Sequence, residues 1–277
     1  MNTDDADERP RLDPAGFNRL RMCRTGPIVY NRFDRYVGGS LQRYGEFSYF
    51  EQALFEALVG RGQVVAEVGA NIGAHTVLLS RLVGADGEVH AFEPQRIVFQ
   101  TLCANLALNQ CANVYARQAA LGADSGTVMV PTPDPMTEYN FGAVSLEKPV
   151  QAGELVPLHA LDDLDLPACH FVKVDVEGME ADVLRGALRT IETYRPLLYL
   201  ENDRDDHSEG LLSLVLDLGY AAYWHLAPLY NPDNFAGEAE DIFPGIVSAN
   251  IACVPAESGV EIPGLRRVVS ARETWRG

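Results

Sequence analysis

The sequence predicts an α/β fold: a mostly parallel sheet with helices packed on both faces. Three observations predict it. Short apolar runs alternate with amphipathic stretches from residue 61 onward. One run, residues 64–68, enters a glycine turn, Gly69-Ala70-Asn71-Ile72-Gly73, that leads directly into helical spacing. A second run, residues 88–92, ends on an acid, Glu93. Continuous apolar runs of this length are the mark of strands buried on both faces. Right-handed crossovers then gather the strand ends on one edge, where ligands bind.

In chain order, residues 1 to about 12 are charged and poor in apolar side chains, so a frayed end is expected. Residues 12–44, with Gly38-Gly39, read as an irregular cap. Phe50, Leu54, Phe55 and Leu58 recur at helical spacing and predict a helix over 49–58. After the first strand, helical spacing runs from Ala74 to Val83. A strand follows over 88–92, then a helix over 97–109 with Val98, Leu102 and Leu106 on one face, then a strand over 113–117. Residues 122–153, with prolines at 131, 133, 135 and 149, read as an insertion or flap over the ligand-binding edge. A strand is expected over 170–176, and one helical stripe joins Met179, Val183, Ala187, Thr190, Ile191 and Tyr194 up to Pro196. A strand over 197–200 precedes a helix over 211–218, N-capped by Ser208 and stopped by Gly219. Tyr223-Trp224-His225 close a sixth strand, and residues 250–254 form the last. The expected division is an N-terminal extension, 1–60, and a catalytic-type domain, 61–277.

Composition narrows the function. The 277 residues carry 22 Lys and Arg against 39 Asp and Glu, a formal charge of −17. No basic stripe is present, which argues against a nucleic-acid partner. No apolar run reaches the ~20 residues needed to cross a bilayer, so no membrane partner is expected. The acidic start, MNTDDADERP, has no apolar stretch of the secretory kind. The five cysteines form no CxxC pair, and reduced thiols in a cytoplasmic protein are the simplest reading.

The glycine turn carries the functional argument. A dinucleotide pyrophosphate is cradled by GxGxxG, whereas the spacing here is GxxxG preceded by Glu67. A carboxylate facing a pyrophosphate is unfavourable; facing an ammonium group it is sensible. Glu93 stands 24 residues after Gly69, near the offset at which an acid accepts bonds from both ribose hydroxyls. Pro94 suits the opening of the next helix. The plainer alternatives are a tight strand–helix turn and an acid placed at a helix N-terminus.

EVGANIGAHT, AFEPQ, AALGADSG, FVKVDVEGMEADVLRGA and SANIACVP occur in the order found in FkbM-type methyltransferases, and residues 44–254 resemble that family. The resemblance implies a class I methyltransferase fold, Rossmann-like, with a seven-stranded sheet whose last strand is antiparallel. It also implies S-adenosylmethionine as donor and O-methylation of a sugar or natural-product small molecule. By the same resemblance Glu67, Gly69, Ala70, Asn71 and Gly73 hold the methionine part and Glu93, with Pro94 beside it, the ribose. Ala120 and Leu121 flank the adenine, and Asp175 stands at the centre of the site. The family more often has Asp where this chain has Glu67.

Methyl transfer to an alcohol needs alignment and help in removing a proton. Asp175, ending an interior strand, is the leading candidate base. His75, in the first turn after the glycine loop, and Glu201 are the other catalytic candidates. Asn202 and His207 follow Glu201 on the same edge. Lys173 shares a face with Asp175 and is placed to pair with it. Asp175, Glu201 and Asp203 form an oxygen-rich set that could gather a divalent cation such as Mg²⁺. Tyr223, Trp224, His225, Asn231, Asn234 and Phe235 suit a rim that recognises sugar hydroxyls. Residues 44–51 are placed to lid the donor pocket. Two other readings stand beside the methyltransferase: a nicotinamide-dependent oxidoreductase, and a non-catalytic module of methyltransferase type.

Overall fold

The structure, a computed structural model, describes residues 12–147, 150 and 152–276. The expectations for residues 1–11 and for Pro149 lie outside the described residues. The N-terminal segment is more regular than an irregular cap. It forms a hairpin of β1 (Asn18–Cys23) and β2 (Gly26–Asn31), then α1 (Val37–Tyr44) and α2 (Tyr49–Leu58). Arg24-Thr25 form the hairpin turn, Gly26 at φ +107 opens β2 opposite Cys23, and alternation along β2 buries Ile28 and Tyr30.

The main sheet contains β3 (Val64–Val68), β4 (Glu88–Phe92) and β5 (Val114–Arg117), joined through α3 (Thr76–Val83) and α4 (Arg96–Leu108). A small second sheet follows, of β6 (Ala120–Leu121), β7 (Gly126–Val130) and β8 (Glu154–His159). The chain then returns through β9 (Phe171–Val174), α5 (Glu180–Arg185), α6 (Leu188–Tyr194) and β10 (Leu197–Glu201). It finishes with α7 (Asp205–Asp217), β11 (Tyr220–Pro228), β12 (Val247–Pro255) and the two-residue β13 (Arg266–Arg267).

The main-sheet order is β13-β11-β12-β10-β9-β3-β4-β5. From β5 to β10 every neighbour is parallel; β12 runs antiparallel between β10 and β11. This is the expected seven-stranded sheet with an antiparallel last strand, extended by the short edge strand β13. Alternation along the strands feeds two cores. Ala66, Val172, Leu198 and Cys253 pack under α5, α6 and α7. Val65, Phe171, Tyr199 and Ala252 pack under Phe55 of α2 and Leu79 of α3. A third cluster unites Ile28 and Leu41 of the N-terminal segment with Val77, Leu102 and Leu106.

Several boundaries differ from the sequence reading. The single stripe over 179–194 is two helices, because Gly186 lies against the Gly122 carbonyl, where a Cβ would come within 2.0 Å. Asp162 then restarts the chain as α6 by accepting the Arg189 and Thr190 amides, both at 2.8 Å. Helix α7 begins at Asp205, so Ser208 lies inside it and is not its N-cap. Pro94 precedes Gln95, the N-cap of α4, rather than opening the helix. The flap over 122–153 is partly regular, since β7 pairs with β8; the segment around 140–147 is what reaches the ligand edge.

Candidate active site

A cleft of about 320 Å³ opens at the carboxyl ends of β3, β4, β9 and β10. Its floor is the glycine turn. Gly69 sits at φ +82, and a Cβ there would lie 1.9 Å from the Asp175 carbonyl oxygen. Glycine is required because the end of β9 closes on the turn. Gly73, at φ +87, does a different job: a Cβ would meet Leu102 of α4 at 2.7 Å, so it permits helix packing rather than lining the cleft.

At one end stands a buried charged cluster. Glu67 is 1% exposed, and neither carboxylate oxygen has a hydrogen-bond partner. Burial pushes its pKa up to about 7, against the pull of Lys173 and of the nearby Thr76 hydroxyl. Lys173 is buried and donates to Asp175 Oδ2 at 3.0 Å. Burial alone would lower its pKa, but Asp175, Glu67 and Glu51 reverse this and hold it above the ordinary lysine value. Glu51 of α2 enters the same cleft, its Oε1 accepting from Ser48 Oγ at 2.7 Å. Phe47 and Glu51 are the part of the 44–51 segment that lines it. His75 is buried against Phe47 and Phe55, with ring centroids 5.6 and 5.3 Å away. Burial, reinforced by Lys173, holds its pKa well below the usual histidine value, so the ring is neutral.

Glu93 occupies the middle. Its Oε2 accepts from the Asn71 amide at 3.0 Å and its Oε1 from the Gln95 amide at 2.8 Å. Each oxygen keeps a lone pair for a further donor. Burial raises its pKa to about 7, against those two bonds. Gln95 also ties the flap down, its Nε2 donating to Phe141 O at 2.8 Å. Beyond Glu93 the lining turns apolar: Phe92, Pro94, Ala120, Leu121, Val144 and Met179 enclose a narrow slot.

The opposite wall is mixed. Tyr36, Leu229 and Ile246 give it apolar surface, and Glu177, Glu201 and Asp203 give it acid. Glu177, at φ +60, pairs with Arg204 at 2.9 Å, and burial and Asp175 raise its pKa to about 7. Glu201 Oε2 is buried without a partner. Burial, then Asp175, Glu177 and Asp203, push its pKa well above the carboxylate range.

The three catalytic candidates, Asp175, His75 and Glu201, therefore line one cleft, as do Glu67, Gly69, Ala70, Asn71 and Glu93. Other expectations are corrected. His207 lies outside the cleft, its Nε2 3.2 Å from Glu147 Oε1. Asn202 is buried and does not line the cleft; its backbone N–H donates to Ala249 O, and its side-chain Nδ2 has no partner. Tyr223 and Trp224 are core residues, and β11 continues past them to Pro228. Asn231 and Asn234 fasten their own loop, Asn231 to Glu46 Oε1 at 2.8 Å. Phe235 is exposed away from the cleft. Among the described residues, no group of three His, Cys, Asp or Glu side chains forms a metal site, so the divalent-cation expectation has no support. Sequence reasoning missed Tyr36, Asn140 and Gly142, which line the cleft but carry no local motif, and passed over Ser248, although SANIACVP begins with it. It also passed over Gln95, although AFEPQ contains it.

The strand order β5-β4-β3-β9-β10-β12-β11, with an acid-flanked glycine turn at the β3/β9 switch point, defines a nucleotide-binding protein of the class I methyltransferase kind. Residues 67–221, more than half of the chain, match the methyltransferase FkbM domain. The chain belongs to the FkbM methyltransferase family. It is similar to the hexuronic acid methyltransferase AglP of Haloferax volcanii, 30% identical over 135 residues, 47% of this chain and 52% of that protein. It is also similar to methyltransferase 1 of Beauveria bassiana, 28% identical over 143 residues, 44% of this chain and 57% of that protein. The chain thus spans about half the length of the curated relatives it matches. Among solved structures, the FkbM methyltransferase of Methylobacillus flagellatus is 18% identical, with a TM-score of 0.43 over 73% of this chain and 50% of that one.

Proposed function

We propose that the chain is an S-adenosylmethionine-dependent O-methyltransferase acting on a hydroxyl of a sugar or natural-product small molecule. The observation that carries this reading is Glu67, a buried carboxylate with both oxygens unpartnered at the rim of a glycine turn. Such a group calls for a cationic donor of hydrogen bonds. The ammonium of the methionine end supplies one; Glu93 retains acceptor capacity for ribose hydroxyls, and the apolar slot at Ala120 and Leu121 suits the adenine. When bound, S-adenosylmethionine supplies an electrophilic methyl group. The chain's own side chains orient the acceptor against the mixed wall, where Tyr36, Leu229 and Ile246 give apolar surface and the acids beside them receive its proton.

A sugar ring suits a cleft lined by both apolar surface and acids, because it has an apolar face and a rim of hydroxyl donors. The formal charge of −17 supports a small-molecule rather than a nucleic-acid partner. Five unpaired cysteines support residence in the reducing cytoplasm. Among the described residues, no helix is long and apolar enough to cross a membrane. The test is calorimetry of the whole chain with S-adenosylhomocysteine, NAD and NADP. Micromolar binding of the first alone is the expected result; binding of a nicotinamide cofactor instead contradicts the reading.

A further inference from the structure

Residues 229–246, the connection from β11 to β12, contain no helix or strand. Connections of this length inside a compact domain are uncommon and are characteristic of binding segments. Both ends of this one reach the cleft, as Leu229 and Ile246, and the Leu229 amide donates to Ile246 O at 3.0 Å. Leu229 also belongs to an apolar cluster with Tyr44 and Phe243, against which Tyr36 and Phe47 pack. Tyr36 and Phe47 line the cleft as well. The mixed wall is therefore a joint between the N-terminal segment and the β11–β12 loop.

The joint is tied by Glu46, a carboxylate only 3% exposed that does not itself line the cleft. Its Oε1 accepts from Asn231 Nδ2 at 2.8 Å. Its Oε2 accepts from the Phe235 amide at 2.8 Å and from Arg24 Nε at 2.7 Å. Arg24, in the β1–β2 turn, also donates to Asp233 O at 3.0 Å, and Ser40 Oγ of α1 donates to Glu46 O at 2.8 Å. One buried side chain thus joins the hairpin, the α1–α2 link and the loop. A buried anion is tolerated only with such a set of donors, and charge-assisted bonds are strong and directional. The pairing has one sense. Asn231 Oδ1 is taken by the Asp233 amide at 3.0 Å, so Asn231 must present its amino group to Glu46.

We propose, resting on the methyltransferase reading, that Glu46 is a positioning residue that sets the acceptor wall. It acts through Phe47 beside it and through the loop that carries Leu229 and Ile246, and it takes no part in holding the donor. The N-terminal segment is in this way a working part of the acceptor site.

The test is hydrogen exchange read by mass spectrometry on the whole, ligand-free chain, with calorimetry of S-adenosylhomocysteine on the same samples. In the isosteric E46Q the side chain keeps one acceptor oxygen and must turn an amino group toward another donor. Amides in 229–246 then exchange roughly 10-fold faster, while those in 64–93 keep the wild-type rate. N231D, which sets two carboxylates face to face, has the same local effect. In E46Q/N231D the new amino group meets the new carboxylate and wild-type protection returns. S-adenosylhomocysteine affinity stays within about twofold in all three variants, as expected for a distant site. With a panel of methyl glycosides as acceptors, E46Q raises the acceptor KM and leaves that for S-adenosylmethionine unchanged. Unchanged exchange in 229–246 in E46Q would overturn the proposal. So would no recovery in E46Q/N231D, or loosening that spreads to 64–93 with loss of S-adenosylhomocysteine affinity. A wild type that binds no S-adenosylhomocysteine fells the methyltransferase reading instead, and the exchange rates still decide whether Glu46 holds the wall.

Discussion

The two halves of the cleft are built in opposite ways. The half around Glu67, Gly69 and Glu93 comes from two consecutive strand–turn units, 27 residues from first to last. The half around Tyr36, Asn140, Leu229 and Ser248 is gathered from four segments spread across the chain. In the first, backbone geometry is locked: Gly69 cannot carry a side chain, and Glu93 is spanned by two amides. In the second, acids and apolar side chains, from the buried Leu229 to the exposed Ile246, line the same wall. A rigid half suits a ligand common to many enzymes, and an assembled half suits one that differs between them.

The comparison breaks most severely at Gly69. Valine there must displace the Asp175 carbonyl and adopt positive φ, and overpacking plus backbone strain predict a loss of about 3 kcal/mol or more. Denaturant unfolding checks this, and a variant as stable as the wild type would show that β9 and the turn are not pressed together. A smaller effect follows from pH. Glu67 and Glu93 are raised from 4.5 to about 7 by burial, so the folded chain binds more protons than the unfolded one between those values. Stability of the ligand-free protein therefore falls as pH rises from about 4.5 to 7. Glu67→Gln makes that fall shallower in a thermal-melt series; an unchanged slope would assign the titration elsewhere. The smallest effect lies in the other half. Ile246→Ser, at a side chain 41% exposed, changes stability by no more than about 0.5 kcal/mol and leaves S-adenosylhomocysteine affinity intact. It alters only acceptor turnover, so a weakened donor site in that variant would mean the two halves are coupled.

The same contrast explains what the sequence could reveal. The alternation of runs, the acid before the glycines and Glu93 at its offset were legible because each is local, fixed by neighbours in the chain. Lys173 and Asp175 were legible as a pair because alternation puts residues two apart on one strand face. The break at Gly186 was not, since its cause is the Gly122 backbone, 64 residues away. His207 and Trp224 were misplaced for a related reason. A residue near a strand end in sequence reaches the site only if tertiary packing leaves it there. Glu147 draws His207 away, and the α7 side of the sheet buries Trp224. Tyr36 and Asn140 carried no signal because no repeat, motif or spacing marks them, and Ser248, although it opens SANIACVP, was not singled out within it.

In the proposed donor site, Glu67 holds the amino end of a methionine-bearing ligand. Calorimetry of the wild type and Glu67→Gln with S-adenosylhomocysteine and with 5′-methylthioadenosine, which lacks that end, tests it most directly. Loss of one charge-assisted hydrogen bond, about 1.5–3 kcal/mol, predicts a roughly 10- to 100-fold weaker S-adenosylhomocysteine complex. Binding of 5′-methylthioadenosine should be unchanged. Equal weakening of both ligands, or of neither, would contradict the account.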